Sequence, residues 1–325
     1  MKKENLKILI IRFSSIGDIV LTTPVIRCLK QQLADAHVHY LTKKAFEPVL
    51  SGNPYIDKLH FLKDSLSESI SELRTEKFDY VIDLHHNLRT MAIKTRLGIR
   101  ASSYHKLNWQ KWLLVNFKKN VLPPVHIVDR YLEAVSFLGV RNDGKGLDHF
   151  LMHDYKLADL LPSSHHQYIA VVIGAQHATK RLPVDKLTEV CKLINHPIVL
   201  LGGNDDIQRG NDIANGAGIH VFNGCGKFEL DQSAFLVKMA KQIITHDTGL
   251  MHIAAAFNKP ILSVWGNTVP EFGMYPYKVD QSVIFEVKGL RCRPCSKIGY
   301  ESCPLIHFKC MNNINLIDII NIANA

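Results

Sequence analysis

Short, β-branched apolar runs recur along the chain, each followed by a segment whose apolar residues fall at helical spacing, and this alternation leaves few folds open. In the first half the runs are 7–13, 38–42, 58–61 and 80–84, separated by expected helices at 19–32, 45–51 and 66–76. In the second half they are 168–173, 197–201, 221–222, 242–245 and 260–265, with expected helices at 184–193, 205–215 and 233–241. Runs this apolar suit strands covered on both faces, as in a parallel sheet whose crossovers are helices. The fold class is therefore α/β. Pro24 falls in or near the first turn of the first helix, where a missing amide is tolerated. At 325 residues the chain is longer than one hydrophobic core usually covers. The polar, Pro-containing stretch 161–166 reads as a linker between the two series, giving domains at 1–160 and 161–325.

Residues 1–7 are charged and polar, 8–13 is too short for the apolar region of a signal peptide, and no run approaches the ~20 apolar residues of a membrane span. A cytoplasmic protein is expected, touching a membrane peripherally at most, and a monomer. The net charge of +9 favours acidic partners. Its distribution is sharper: no Asp or Glu occurs between Leu84 and Val128, where Arg89, Lys94, Arg96, Arg100, Lys106, Lys111, Lys118 and Lys119 are interleaved with Trp109, Trp112 and Phe117. Cations mixed with Trp suit an anionic lipid surface or an acidic acceptor, and the bland alternative is a solvated basic face. Nucleic acid would favour the same charges, but no helix-turn-helix, zinc-finger or RNA-recognition signature accompanies them.

In open α/β sheets ligands gather beyond the carboxyl ends of strands, and four such ends carry polar residues. Ser14-Ser15-Ile16-Gly17-Asp18 puts a carboxylate at a helix start, either as an N-cap or as a general base. It is not G-x-G-x-x-G, so a nicotinamide cofactor is not supported. Gly174-Ala175-Gln176-His177-Ala178-Thr179-Lys180-Arg181-Leu182-Pro183 offers two adjacent cations, a surface pair or a diphosphate clamp. Gly202-Gly203-Asn204-Asp205-Asp206 combines close backbone approach with an acidic acceptor for ribose hydroxyls, and is not an Asp-x-Asp metal motif. Finally, 246–256 reads as a strand end, a turn at Asp247-Thr248-Gly249 and a small-residue helix, whose first amides and positive dipole end suit an anion. His252, one turn in, would point to the same mouth.

Cys28, Cys191 and Cys225 are scattered and read as buried thiols. Cys292, Cys295, Cys303 and Cys310 follow C-x2-C-x7-C-x6-C, enough ligands for a structural zinc but irregularly spaced, so reduced thiols are favoured over a metal.

Taken together and in order, Ser14 to Asp18, the Lys180 to Pro183 loop and Asp247 to Ala256 resemble glycosyltransferase family 9, the ADP-heptose:lipopolysaccharide heptosyltransferases, over essentially the whole chain. The resemblance implies a GT-B architecture of two Rossmann-like domains facing across a cleft, the acceptor on the first and the nucleotide sugar on the second. It places the catalytic base on Asp18 and the diphosphate-binding, charge-stabilising lysine on Lys180, although Leu182 replaces the usual Trp. The D-[ST]-G-x-x-H donor motif falls on Asp247, Thr248, Gly249 and His252. Gly202, Gly203 and Asp206 (or Asp205) complete the donor side. Where some members carry Thr in the first donor loop this chain has Ala175 and Gln176, so contacts there would run through the backbone. Ser15, Gly17, Arg89 and Lys94 are the expected acceptor-side residues. The implied reaction is inverting, metal-independent transfer of a heptose or related sugar from an ADP-sugar to the anionic inner core of lipopolysaccharide, at the inner face of the cytoplasmic membrane. Left open beside it are a GT-B transferase or epimerase using another nucleotide sugar, and a nucleotide-sugar or lipid-binding module without turnover.

Overall fold

A computed structural model describes residues 5–325 and divides the chain into two compact units. The first takes the residues up to Lys106 together with Val125–Met152; the second takes Leu107–Pro124 and His153–Ala325.

Each unit is built on one parallel sheet. The first contains β1 (Lys7–Ile11), β2 (His37–Thr42), β3 (Lys58–Phe61), β4 (Tyr80–Asp83) and β5 (Arg100–Ser103), ordered β3-β2-β1-β4-β5. The second contains β6 (Ile169–Val172), β7 (Ile198–Leu201), β8 (Val221–Asn223), β9 (Gln242–His246), β10 (Ile261–Trp265) and β11 (Ser282–Glu286), ordered β11-β10-β9-β6-β7-β8. The α/β class and the two Rossmann-like sheets agree with the sequence reading. Strands covered on both faces explain the continuous apolar runs: Ile8, Leu9, Ile10 and Ile11 of β1, and Ile169, Ala170 and Val171 of β6, are fully buried. In both sheets the first strand has later strands on either side, so the order reverses between β1 and β4 and again between β6 and β9. Such reversal points open a crevice at the strand carboxyl ends.

Several details depart from expectation. The helix expected at 19–32 is two, Ile16–Val20 and Thr23–Gln32, because Pro24 has no N–H with which to continue a helix from the preceding turn. The Thr22 and Thr23 hydroxyls donate instead to the carbonyls of Ile19 and Val20, each at 2.7 Å. The expected helix at 45–51 is a 3-10 segment, Lys44–Val49, containing Pro48. The boundary expected at 160/161 falls at 152/153: the His153 N–H and the Tyr155 hydroxyl donate to Asp231 at 3.3 and 3.0 Å, joining them to the second unit. The stretch 161–166 is therefore no linker, and His165 within it is 4 % exposed with Nε2 3.1 Å from the His220 carbonyl. Residues 107–124, expected in the first domain, belong to the second because Leu114 packs with Val269 and Phe272 and Lys118 Nζ donates to the Pro294 carbonyl at 2.7 Å.

The first unit closes on itself through Arg27, which is 2 % exposed. It donates to both Asp143 oxygens at 2.7 and 2.9 Å, to the Gly146 carbonyl at 2.9 Å, and to Asp148. The hydrogen bond from Arg27, with burial opposing it, holds the Asp143 carboxyl down at about 2, whereas burial pushes Asp148 up despite the same cation. Arg27→Met leaves two carboxylates without their counter-ion and is expected to cost about 3–5 kcal/mol in urea unfolding. Asp143's share of that stability is present above the ordinary Asp value and is lost as pH falls through about 2.

Candidate active site

The first unit's site forms where β1 ends beside β4. The chain leaves β1 through Arg12 and Phe13 and enters the helix Ile16–Val20, whose first turn carries Asp18. The Ser15 hydroxyl and N–H donate to Asp18 Oδ2 at 2.9 and 3.3 Å, while Oδ1 lies 2.6 Å from Arg12 Nη2. Arg12 is 8 % exposed and donates also to the carbonyls of Ser14 and Leu84, each at 2.7 Å, and to the Tyr131 hydroxyl at 3.1 Å. It thus bridges the ends of both strands. Burial opposes the guanidinium charge, but Asp18 first, and then Tyr131, Tyr104 and Tyr40, outweigh it and raise the Arg12 pKa. The Asp18 side chain keeps 21 % exposure, so the carboxylate is oriented from behind and open in front. His85, its ring tilted at 49° and 4.9 Å from that of Phe13, is pushed down to about 4 by burial, Arg12 and Lys106, and is neutral near pH 7. Of the other acceptor-side candidates, Ser15 is exposed and Gly17 buried inside the helix. Arg89 is exposed in the first turn of the helix Leu88–Leu97. Lys94 is committed internally, 2.8 Å from the buried Asp83 and 2.7 Å from the Ser103 hydroxyl, where it ties β4 to β5.

In the second unit the matching position lies between β6 and β9, and the structure brings Lys180 and Asp247 together there. Lys180 closes the 3-10 turn Ala178–Lys180 after β6, and its Nζ sits 2.6 Å from Asp247 Oδ2, just past β9. The Thr268 hydroxyl donates to the same oxygen at 3.0 Å. The loop is pinned by His246, the last residue of β9, whose Nε2 accepts the Leu182 N–H at 2.9 Å. Burial, then Arg209 and Arg181, push His246 down to about 3, so the ring stays a neutral acceptor. Arg181 turns back to donate through Nε to the Ala175 carbonyl at 2.7 Å, while Gln176 beside it is exposed.

Gly202 and Gly203 follow β7, and Asp206 reaches back over them. Its Oδ2 accepts the Gly203 N–H at 3.1 Å, and its Oδ1 faces Arg209 at 3.4 Å and Arg181 at 3.7 Å. A Cβ at Gly174 would meet Asp206 Oδ2 at 2.4 Å and one at Gly202 would meet Asp206 Cβ at 2.8 Å, so both positions require glycine for this packing. Asp206 is 5 % exposed: the carboxylate expected to meet ribose hydroxyls is used to hold two loops and two arginines in place. The small-residue helix runs Gly249–Ala256 with Thr248 as its N-cap residue. Thr248 Oγ1 is buried and makes no hydrogen bond, leaving the first turn without a side-chain cap. The positive end of that helix dipole lies immediately after Asp247. His252, expected at the mouth, is only 2 % exposed.

Sequence reasoning missed Arg12, Thr268 and His246 as working parts of these sites. Arg12 had a signal, a lone cation closing an otherwise apolar strand run; Thr268 had none beyond its place after β10. The four clustered cysteines are free thiols, with Cys292, Cys295 and Cys303 half-buried and Cys310 buried. Burial pushes Cys310 up to about 12, with Cys295, Cys303 and Cys292 adding to the rise. Among the described residues, metal-ligand atoms converge within 4.8 Å at His39, His60 and Glu76. Its members are already engaged: His39 Nδ1 lies 2.9 Å from His60 Nε2, and Lys58 and Lys7 neutralise Glu76 at 2.5 and 3.3 Å, while His60 Nδ1 is buried without a hydrogen bond.

Comparison with known proteins gives a consistent pattern. The family model of glycosyltransferase family 9 (heptosyltransferase) matches residues 68–303. Lipopolysaccharide heptosyltransferase 1 of Campylobacter coli is 28% identical over 289 residues, covering 81% of this chain and 84% of its own. The solved structure of Escherichia coli ADP-heptose lps heptosyltransferase II superposes with a TM-score of 0.71 at 22% identity, covering 97% of this chain and 99% of that one. E. coli heptosyltransferase WaaC with ADP-2-deoxy-2-fluoro heptose gives a TM-score of 0.67 at 19% identity, covering 98% and 100%.

Proposed function

Because the chain belongs to glycosyltransferase family 9, the heptosyltransferases, we propose that it moves a heptose, or a closely related sugar, from an ADP-sugar to the inner core of lipopolysaccharide, inverting the anomeric centre. The observation that carries the donor side is the joint placement of Lys180, Asp247 and the start of the helix Gly249–Ala256 at the β6/β9 reversal. An ammonium and helix-end amides at one strand terminus suit a diphosphate. The ADP-2-deoxy-2-fluoro heptose carried by the similar E. coli WaaC structure supports the same donor.

In this reading Asp18 accepts the proton of an acceptor hydroxyl as that oxygen attacks the anomeric carbon. The bond from that carbon to the β-phosphate oxygen breaks through an oxocarbenium-like state, and ADP leaves with the electron pair. Lys180 and the amides at Thr248-Gly249 meet the charge that grows on the leaving diphosphate, a fixed arrangement that supplies the electrostatic stabilisation without a divalent ion. Arg12 and Ser15 hold the Asp18 carboxylate in one orientation throughout. Among the described residues no helix is long and apolar enough to cross a membrane. We place the reaction in the cytoplasm, at the inner membrane surface where a lipid-linked acceptor is presented.

The test is direct. Purified protein, ADP-heptose and lipopolysaccharide from a strain lacking inner-core heptose should give an acceptor heavier by one heptosyl residue, with inverted anomeric configuration by NMR and undiminished rate in EDTA. Consumption of UDP- or GDP-sugars in preference to ADP-heptose would overturn the donor assignment.

A further inference from the structure

The segment 107–124, which belongs to the second unit, carries the most unusual surface of the molecule. Its helix Asn108–Phe117 docks through one side only: Leu114 is buried against Val269 and Phe272, with Val115 and Leu122 beside it, and Lys111 Nζ lies 5.8 Å from the Phe272 ring centroid. At 100° per residue, Trp109, Trp112 and Asn116 fall opposite Leu114, with Leu113 and Phe117 on the flank between. Trp109 is 64% exposed, Trp112 38% and Phe117 65%. The two indoles stack 4.9 Å apart and Phe117 meets Trp112 edge-on at 5.2 Å, so the aromatics form one continuous plate. The helix is also fixed at both ends by the cysteine-containing segment. Lys297 Nζ donates to the Asn108 carbonyl at 3.4 Å, and Lys118 Nζ to those of Pro294 and Cys292 at 2.7 and 3.4 Å. That segment exposes Ile298, Leu305 and Ile306 in turn.

We propose that this helix is a membrane-docking element, whose Trp109, Trp112 and Phe117 enter the headgroup–acyl boundary of an anionic phospholipid bilayer. The choice of occupant rests on charge. No acidic residue occurs from 85 to 127, and the exposed Lys118 and Lys119 follow Phe117 directly. Trp tolerates the boundary because its ring is apolar and its N–H polar, and lysines beside it gain from the negative surface potential. A short amphipathic helix held on a folded unit needs no ordering when it meets the surface. The proposal deepens the reading above, since a lipid-linked acceptor is presented at such a surface, and it rests on that reading for its biological sense.

The experiment uses the full chain with vesicles of phosphatidylcholine alone or mixed with phosphatidylglycerol. Sedimentation should show binding to the anionic vesicles only, weakened by salt. The chain has three tryptophans, and the third, Trp265, is 1 % exposed; a blue shift on binding therefore reports Trp109 and Trp112. The double variant Trp109→Ser/Trp112→Ser should lose binding by about tenfold or more with unchanged circular dichroism. Lys119→Glu should weaken binding while leaving the indole plate in place. Equal partitioning onto neutral vesicles, wild-type binding by the double variant, or concentration-dependent dimerisation abolished by it without lipid would each overturn the proposal. A parallel assay on a delipidated, soluble core oligosaccharide separates the two readings. The Trp variants should transfer to it at the wild-type rate, and a raised KM there would reassign the plate to acceptor binding and sink the docking role. Vesicle binding without any transfer would instead sink the reaction and leave the docking surface standing.

Discussion

Asp18→Asn is expected to lower the transfer rate by about 10²–10⁴, the span typical of losing a general base, while ADP binds with nearly wild-type affinity in calorimetry. The variant keeps the size of the side chain and a partner for Ser15, but it can no longer take up a proton. It also leaves Arg12 without its counter-ion at 8 % exposure, where the bonds to Ser14, Leu84 and Tyr131 remain. Thermal unfolding should therefore be followed alongside the rate. ADP affinity is the control that separates chemistry from collapse, because the residues assigned to ADP all belong to the second unit. Transfer within a few-fold of wild type would remove Asp18 from the role of base.

Lys180→Ala is expected to act on binding. A hydrogen bond to a charged group contributes about 1.5–3 kcal/mol, roughly 10- to 100-fold in ADP affinity. The loss should appear for ADP and for the sugar donor alike, with a further fall in rate at saturating donor because the leaving diphosphate carries more charge in the transition state than in the ground state. AMP, which lacks the β-phosphate, should lose less. Unchanged ADP affinity would move the diphosphate away from the β6/β9 reversal and overturn the donor site.

Much of this was legible from residues alone, for identifiable reasons. Strands covered on both faces leave unbroken runs such as 7–13 and 168–173, and the turn after each run exposes its polar residues. Asp18, Lys180 and Asp247 could be singled out as candidates because each lies in the turn or loop that follows such a run. Asp206 could not be distinguished from a ligand contact by sequence: Arg209 is only three residues on, but Arg181 and the Gly174 loop that close over the carboxylate come from the end of β6. Lys94 looked like any member of a basic stretch, and only the fold reveals Asp83 beneath it. The boundary failed for a related reason: 107–124 follows the first series in the chain, and its partners Val269, Phe272 and Pro294 are about 150 residues away or more. Local periodicity carries no record of partners that distant.

If the β6/β9 reversal holds a diphosphate as proposed, the pairing of Lys180 with Asp247 sets a threshold for what it accepts. A lysine already 2.6 Å from a carboxylate, itself steadied by Thr268, is not a bare positive charge awaiting the first anion in solution. A single phosphate or chloride must displace a partner as good as itself and gains little. A diphosphate can take the ammonium with one phosphoryl group and the helix-end amides with the other, and so repays the exchange. On the proposed reading, Asp247 is placed to take the lysine back when ADP departs, so product release would leave no stranded charge behind it.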